Sequence, residues 1–231
     1  MSSSFTIRPL LPRDYIEAFA VADLSFAAFN TLLYKTHPPS PSSLEKLTAA
    51  RLRDIAMMPT ARMFKAVDED TGAIIGVARW IVTKEERVYT TLQEAVEHEV
   101  MRRVIPETNE AATRAFYTMA TAGKWEVLGL RDNHGAVVGL VPRVELETLF
   151  THPGYRGVGV ASALVQWGVE LADRLGMRVY FEAAGEGRPL YERFGFEVVR
   201  VGEFDAAEYG GVGRHVYTFM LRQPKTVRKG K

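Results

Sequence analysis

The 231-residue sequence contains no cysteine. A chain without thiols forms no disulfide and no thiolate zinc site, and it has no cysteine nucleophile. Its five histidines show neither an HExxH motif nor another paired spacing that would suggest metal ligands. We therefore predict a protein without a metal site and without a cysteine-bound covalent intermediate.

Long apolar runs and an excess of charge of one sign are also absent. No run approaches the ~18 apolar residues of a membrane span, and the first eight residues lack the apolar stretch of a signal peptide. Twenty-nine basic residues against 28 acidic ones give a net charge of +1, which attracts neither nucleic acid nor an anionic membrane. We expect a soluble cytoplasmic protein, with a nuclear location as the alternative, that binds neither nucleic acid nor membrane.

The apolar periodicity predicts an N-terminal strand and two helices, then a β-hairpin with its turn at Thr71–Gly72 and the order β-α-β-α-β-β. This order indicates one α/β domain with a mixed sheet over residues 1–222. Residues 84–124 have helical propensity on both sides of Pro106, and we interpret them as a helical insertion. Residues 223–231 carry four basic residues and two helix breakers, and we predict a flexible basic tail.

A glycine-containing loop, residues 152–159, joins the predicted strand Val144–Thr151 to the predicted helix Val160–Leu175. Glycines at a helix start let the backbone approach a ligand, and the free N–H groups with the helix dipole favour a phosphate. Ser162 does not fit the Rossmann fingerprint, and Val160-Ala161 does not fit a Walker loop. A tight turn without a ligand, or a binder of another nucleotide phosphate, remains an alternative.

The loop resembles the pyrophosphate signature Gln/Arg-x-x-Gly-x-Gly/Ala of the GNAT superfamily of N-acetyltransferases, matched by Arg156, Gly159 and Ala161. Downstream, Gly187–Phe196 resembles the family's Tyr-x-x-x-Gly-Phe segment. The resemblance is strongest over residues 144–201 and is greatest to fungal-type members. It implies a single α/β domain with about seven strands in a mixed sheet, flanked by helices and splayed between the fourth and fifth strands.

The resemblance further implies acetyl-CoA as cosubstrate, no metal, and direct transfer of an acetyl group to an amine in a ternary complex. A backbone N–H near Phe150 or Thr151 would stabilise the oxyanion. The segment Ala183–Gly187 departs from the family, whose members often have Asn or Ser-Pro there, which puts a side-chain contact to CoA in doubt. The residues that the resemblance assigns to the cofactor are Phe150, Thr151, Arg156, Gly157, Val158, Gly159, Val160, Ala161 and Ser162.

Three residues are candidates for the chemistry, which needs a neutral amine and a proton for the departing thiolate. Tyr191 matches the position where GNAT enzymes often hold a catalytic tyrosine, and it would act as the acid. Glu145 and Glu147 lie two apart in one strand and so share a face. The family often holds a general base in this strand, and burial would raise the pKa of either glutamate towards a useful value.

Each of these assignments has a structural alternative. Tyr191 could be a half-buried aromatic residue that packs its short helix against the sheet. Glu145 and Glu147 could be solvated acids on an exposed strand face. The corresponding alternative for the whole protein is a non-catalytic acyl-CoA-binding sensor or scaffold on the same fold.

The acceptor does not follow from the sequence. Residues 27–59 and 84–124 should line the acceptor side. No acidic groove for a basic peptide is visible, so we favour a small-molecule amine over a protein lysine. We expect a monomer or a homodimer.

Overall fold

Nine strands form two sheets in the computed structural model, which describes residues 4–58, 60–86 and 88–225. The larger sheet has seven strands in the order β1-β2-β3-β6-β7-β9-β8, and β4 pairs with β5 in a separate sheet. The strands are β1 (Phe5–Pro9), β2 (Arg62–Asp68), β3 (Ile74–Thr83), β4 (Gly129–Arg131), β5 (Val137–Leu140), β6 (Arg143–Thr151), β7 (Val179–Ala184), β8 (Glu197–Asp205) and β9 (Arg214–Arg222).

Helices flank the larger sheet, and side-chain caps begin several of them. Ser40 accepts a hydrogen bond from the N–H of Ser43 at the start of α3, Thr91 forms a capping box with Glu94 at α4, and Asn109 caps α5. Such caps satisfy N–H groups that have no partner in the first turn. The helices are α1 (Tyr15–Ser25), α2 (Ala27–Leu33), α3 (Pro41–Met57), α4 (Leu92–Met101), α5 (Glu110–Leu128), α6 (Val160–Leu175) and α7 (Arg188–Glu192).

The fourth and fifth strands of the larger sheet, β6 and β7, part after two residue pairs. They run parallel and are paired only at Val144–Val179 and Glu145–Tyr180. β6 continues to pair with β3 up to Thr151, and β7 with β9 up to Ala184. The strands therefore diverge towards their carboxyl ends, and the predicted seven-stranded mixed sheet with its splay is confirmed.

The two faces of the sheet carry separate cores. On one face α6 packs against β2, β3 and β6 around the fully buried Trp80. On the other face α1 packs on β3 and β6, and α5 packs on β8 and β9. Successive side chains of a strand point to opposite faces of the sheet. Val144 and Leu146, two residues apart, both lie on the α6 face. The same alternation directs Glu145 to the opposite face, where it contacts α5.

The helix α6 has the predicted bounds. The apolar spacing predicts that its buried stripe consists of Val160, Leu164, Gly168, Leu171 and Leu175, and the structure confirms only part of that stripe. Val160, Leu164 and Gly168 are buried as expected, whereas Leu175 is 48% exposed. The buried positions continue instead through Val169 and Ala172. The helix residues after Ala172 are not buried, and glycines with positive φ bound the helix at residues 159 and 176.

Three details of the N-terminal half and the middle of the chain differ from the predictions. The apolar spacing predicts the first of the two helices over residues 14–29, but the structure has two helices there, with a break at Phe26. For the second helix the sequence offers Ser43 as the N-cap, but the N-cap of α3 is Ser40, because Pro41 fits the first helical position, where no N–H is needed. The pair β4–β5 was not predicted.

Among the described residues no single helix is long and apolar enough to cross a membrane. The two segments Pro12–Ser25 and Ala27–Leu33 are long and apolar enough only when they are taken together, and the chain bends by 74° between them. Helices α4 and α5 occupy most of the predicted insertion. The single-domain boundary at residue 222 stays a prediction, and residues 226–231 of the predicted tail lie outside the described residues.

Candidate active site

The glycine loop forms a cleft of about 250 Å³ at the carboxyl end of β6. Gly157 and Gly159 have φ of 82° and 96°, a backbone conformation that favours glycine. A Cβ atom at either position would meet no protein atom within 4 Å, so the space beside both glycines is open. The cleft is lined by Thr151, Tyr155, Arg156, Gly157, Gly159, Val160, Ala161, Ser162, Leu190 and Arg193.

This cleft has the chemistry of a pyrophosphate site. Gly159 is the N-cap residue of α6, and it has no side chain that could accept a hydrogen bond from the N–H groups of the first helical turn. Arg156 and Arg193 place two guanidinium groups in its lining. The buried hydroxyl of Thr151 has no hydrogen-bond partner among the described residues, and a buried orphan of this kind suits a ligand atom.

The backbone of Thr151 faces the gap between β6 and β7. The N–H of His152 donates to the carbonyl of Ile75 in β3. Because successive N–H groups of a strand point to opposite edges, the N–H of Thr151 points to the edge that β7 has left. This geometry places a free donor where the resemblance implies the oxyanion donor.

Seven of the nine residues predicted to contact the cofactor line this cleft, and two do not. The side chain of Phe150 is buried on the α1 face, where its ring lies 5.9 Å from that of Phe26. Val158 is 41% exposed at the tip of the loop. Phe150 therefore stays a candidate through its backbone alone.

Tyr191 lies on α7 next to Leu190, which lines the cleft, but Tyr191 itself is not part of the lining. It is buried, and its ring centroid lies 3.9 Å from that of Phe181 on β7. Its hydroxyl has no hydrogen-bond partner in the part of the chain that the structure describes, and it lies near enough to Tyr217 to affect the pKa of that residue. Burial raises the pKa of Tyr191, so the phenol stays protonated at neutral pH.

Glu145 is held by two cations. Lys124 on α5 lies 2.8 Å from one carboxylate oxygen, and Arg143 lies 2.6 Å from the other. Burial acts to raise the pKa of Glu145, but the charges of Lys124 and Arg143 outweigh it, and the pKa is lowered. The prediction that burial would raise the pKa of either glutamate is therefore wrong for Glu145.

Glu147 lies on the same face in a different setting. The register between β3 and β6 shifts here, because Arg79 pairs with Thr148 while Trp80 pairs with Leu146, which leaves Glu147 unpaired in a bulge. Its carboxylate lies 3.0 Å from Arg79, and 31% of its side-chain surface remains exposed. Burial nevertheless raises the pKa of Glu147. The alternative of a solvated acid therefore does not hold for Glu145, whereas Glu147 keeps part of its surface in contact with solvent.

The sequence predictions missed two residues with polar groups at this site. Arg193 lines the cleft from the turn that follows α7. Glu182 lies in β7, where burial raises its pKa to about 7. The sequence contained an indication of Glu182, because it is the single carboxylate in the apolar strand Val179–Ala184. Burying a carboxylate costs desolvation free energy, so such a residue in a buried strand suggests a functional role.

Helices α3, α4 and α5 contribute charged groups to the same face. Asp54 on α3 and Glu99 on α4 both pair with Arg102, while Lys124 of α5 contacts Glu145. Among the residues that the structure describes, no group of three or more histidine, aspartate and glutamate side chains could hold a metal ion.

Comparison with known proteins yields one family match. The family described as "Acetyltransferase (GNAT) domain" matches residues 123–198. This segment includes the glycine loop, α6, β7 and α7. None of the curated protein sequences compared with the chain matches it.

Solved structures share the fold at low sequence identity. A histone acetyltransferase HPA2-related acetyltransferase from Corynebacterium glutamicum is 20% identical, with a TM-score of 0.58, covering 97% of this chain and 99% of the other. Arylalkylamine N-acetyltransferase 2 from Aedes aegypti is 15% identical, with a TM-score of 0.62 and coverages of 96% and 100%. Polyamine N-acetyltransferase from Drosophila melanogaster is 13% identical, with a TM-score of 0.57 and coverages of 95% and 100%. The chain therefore has the α/β fold of the GNAT acetyltransferases, and residues 123–198 match their domain.

Proposed function

We propose that this protein is an N-acetyltransferase that transfers the acetyl group of acetyl-CoA directly to an amine. The observation that carries the proposal is the parting of β6 and β7 after Glu145–Tyr180, directly beside an uncapped glycine loop. A loop of this kind binds a pyrophosphate, and the gap admits an extended chain towards the face that carries the glutamates.

The binding roles follow from the lining of the cleft. The N–H groups of the first turn of α6, together with Arg156 and Arg193, would hold the pyrophosphate of acetyl-CoA. The N–H of Thr151 would donate to the carbonyl oxygen of the thioester as negative charge develops on it. Tyr191 would donate a proton to the departing sulfur, since burial keeps its phenol protonated.

Between the two glutamates in β6, the pKa shifts favour Glu147 over Glu145 as a base. A base must accept a proton near neutral pH, and burial raises the pKa of Glu147 in that direction. Glu145 holds its charge for Lys124 and Arg143, which lower its pKa. We infer that Glu145 maintains the structure of this face rather than moving a proton.

For the acceptor we propose a small amine. The neighbours of the same fold include proteins described as arylalkylamine and polyamine N-acetyltransferases. In this chain the acceptor side would be lined by α3, α4 and α5, and ion pairs occupy several of their charged groups, including Asp54, Glu99 and Lys124. The fungal-type subgroup, the cytoplasmic location and the oligomeric state stay predictions.

Isothermal titration with acetyl-CoA tests the binding half of this proposal. Saturable binding is expected, and Gly159→Ala should weaken it at least about tenfold, because a Cβ atom there would occupy the space in which the pyrophosphate approaches the backbone. Gly135→Ala is the matched control, since Gly135 has a φ of 83° and open space around it but lies in the turn between β4 and β5.

The transfer half is tested by release of free thiol from acetyl-CoA in the presence of polyamines, amino acids, aminoglycosides, arylamines and peptides. Amine-dependent release is expected with at least one small amine. If isothermal titration with millimolar acetyl-CoA gives no heat of binding, the whole proposal is wrong. Binding without thiol release for any acceptor would instead identify an acyl-CoA sensor.

A further inference from the structure

Glu182 faces the gap from the side opposite Glu147. The parallel register Val144–Val179 and Glu145–Tyr180, continued by two residues, would bring Glu147 opposite Glu182 if the strands had not parted. Alternation along β7 buries Phe181 on the α6 face and turns Glu182 to the other face. The two glutamates therefore lie on the same face of the sheet, on the two strands that border the gap.

The hydrogen-bonding partners of Glu182 differ from those of the other acids on this face. The hydroxyl of Tyr180 donates to one of its carboxylate oxygens at 2.7 Å. Glu145 has two cationic partners, and Glu147 has Arg79. Glu182 is in no ion pair with a residue of the part of the chain that the structure describes. A cation brought by a ligand would complete this site.

The groups around Glu182 come from every neighbouring element. Burial raises its pKa most, and the charge of Lys124 on α5 and the hydrogen bond from Tyr180 lower it. Glu145 on β6 and Glu99 on α4 raise it again, and the result is a pKa of about 7. The negative charge of Glu182 raises the pKa of three nearby phenols, those of Tyr117 on α5, Tyr180 on β7 and Tyr217 on β9. Tyrosine faces are favourable surroundings for an ammonium group.

We propose that Glu182, rather than Glu147, takes the proton from the acceptor's ammonium group. This inference rests on the proposed acetyltransferase function. It assigns the substrate class as a primary amine that arrives charged, with its ammonium seated among the three phenols. Glu147 is tied to Arg79 and would then position the ammonium without receiving its proton.

The proton balance is complete with groups that the chain supplies. The ammonium gives one proton to the carboxylate of Glu182, and the neutral amine then forms the new C–N bond to the acetyl carbon. The C–S bond breaks, and the sulfur takes a proton from Tyr191. The second proton of the amine nitrogen replaces the one that Tyr191 gave, and Glu182 returns its proton to solvent.

The pH dependence of kcat/KM, measured with the best amine of the panel, tests this inference. Activity of the unchanged protein should rise through about pH 7, because Glu182 must be deprotonated to accept a proton. Glu182→Gln should lower kcat/KM about 100-fold and remove this rise. Glu147→Gln should keep the rise at the same pH, with a higher KM. Glu203→Gln is the matched control, at a side chain that is 61% exposed on β8. It should change neither kcat/KM nor the pH at which activity rises.

A second variant changes the pKa of Glu182 without removing its carboxylate. The hydrogen bond from Tyr180 lowers the pKa of Glu182, so Tyr180→Phe should move the rise in activity to higher pH. Folding is checked by thermal unfolding at pH 8, where Glu182→Gln should be at least as stable as the unchanged protein, because no charge is then buried.

The failures of the two proposals are distinguishable. If the unchanged protein turns over but Glu182→Gln keeps the rise near pH 7, the assignment of Glu182 is overturned while the transferase stands. Loss of the rise in Glu147→Gln alone would return the role to Glu147. Absence of turnover with every amine would overturn both.

Discussion

Replacing Arg143 with methionine is expected to lower the free energy of unfolding by about 3–5 kcal/mol. The guanidinium of Arg143 is 1% exposed and lies between Glu86 and Glu145. Its removal leaves Glu145, which is 13% exposed, with Lys124 as its only cation among the described residues. A buried carboxylate that loses a partner keeps its full desolvation cost. Urea denaturation at pH 7 measures the change.

The loss should depend on pH in a defined direction. The pKa of Glu145 is lowered in the folded protein, so the ion pairs stabilise the fold above its ordinary value of 4.5. This stability is lost as the pH falls below that value. The difference between Arg143→Met and the unchanged protein should therefore narrow in acid.

Arg188→Met provides the comparison for this experiment. Its guanidinium is 51% exposed in an ion pair with Glu192 within one helix, and such pairs contribute less than about 1 kcal/mol. Equal small losses in the two variants would show that Lys124 alone compensates Glu145.

Replacing Tyr191 with phenylalanine is expected to lower kcat about 100-fold while the affinity for acetyl-CoA stays within about twofold. The hydroxyl would act only on the departing sulfur, so its loss affects the transition state and not the binding of the pyrophosphate. Thiol-release kinetics and isothermal titration together separate the two effects. The ring itself remains in its packing against Phe181.

The pH profile adds a further check on Tyr191. Because burial raises its pKa above the ordinary value of 10, kcat of the unchanged protein should not fall from loss of this proton below pH 10. Tyr15→Phe, at a ring that packs on Phe19 in α1, serves as the control substitution. Full turnover in Tyr191→Phe would reduce Tyr191 to a packing residue.

Local signals explain which elements could be predicted from the sequence. The helix α6 was predicted with its observed bounds because its apolar spacing begins after Gly159 and ends at Gly176, two glycines that adopt positive φ. The break between α1 and α2 carried no such signal. It occurs at Phe26, whose ring packs edge-on against Phe150 of β6, so a contact distant in sequence ends the helix.

Short elements were also beyond local prediction. The strands β4 and β5 have three and four residues, too few for a periodicity to be read. Their place depends on packing, since Leu128 and Leu140 belong to the core that also buries Tyr180 and Phe219.

The sequence by itself determined the glycine loop, the strand and helix that flank it, and the order of strands that forms the mixed sheet. These depend on residues close together in the chain, whose backbone preferences and apolar spacing act locally. Only the tertiary structure decided the pKa values of the acids on this face. The pKa of Glu145 is lowered because Lys124 reaches it from α5 and Arg143 lies beside it, and the pKa of Glu182 is raised because the sheet buries it without an ion-pair partner among the described residues. The reason is physical: the pKa of a carboxyl depends on the burial and the charges around it, and folding alone brings those groups together.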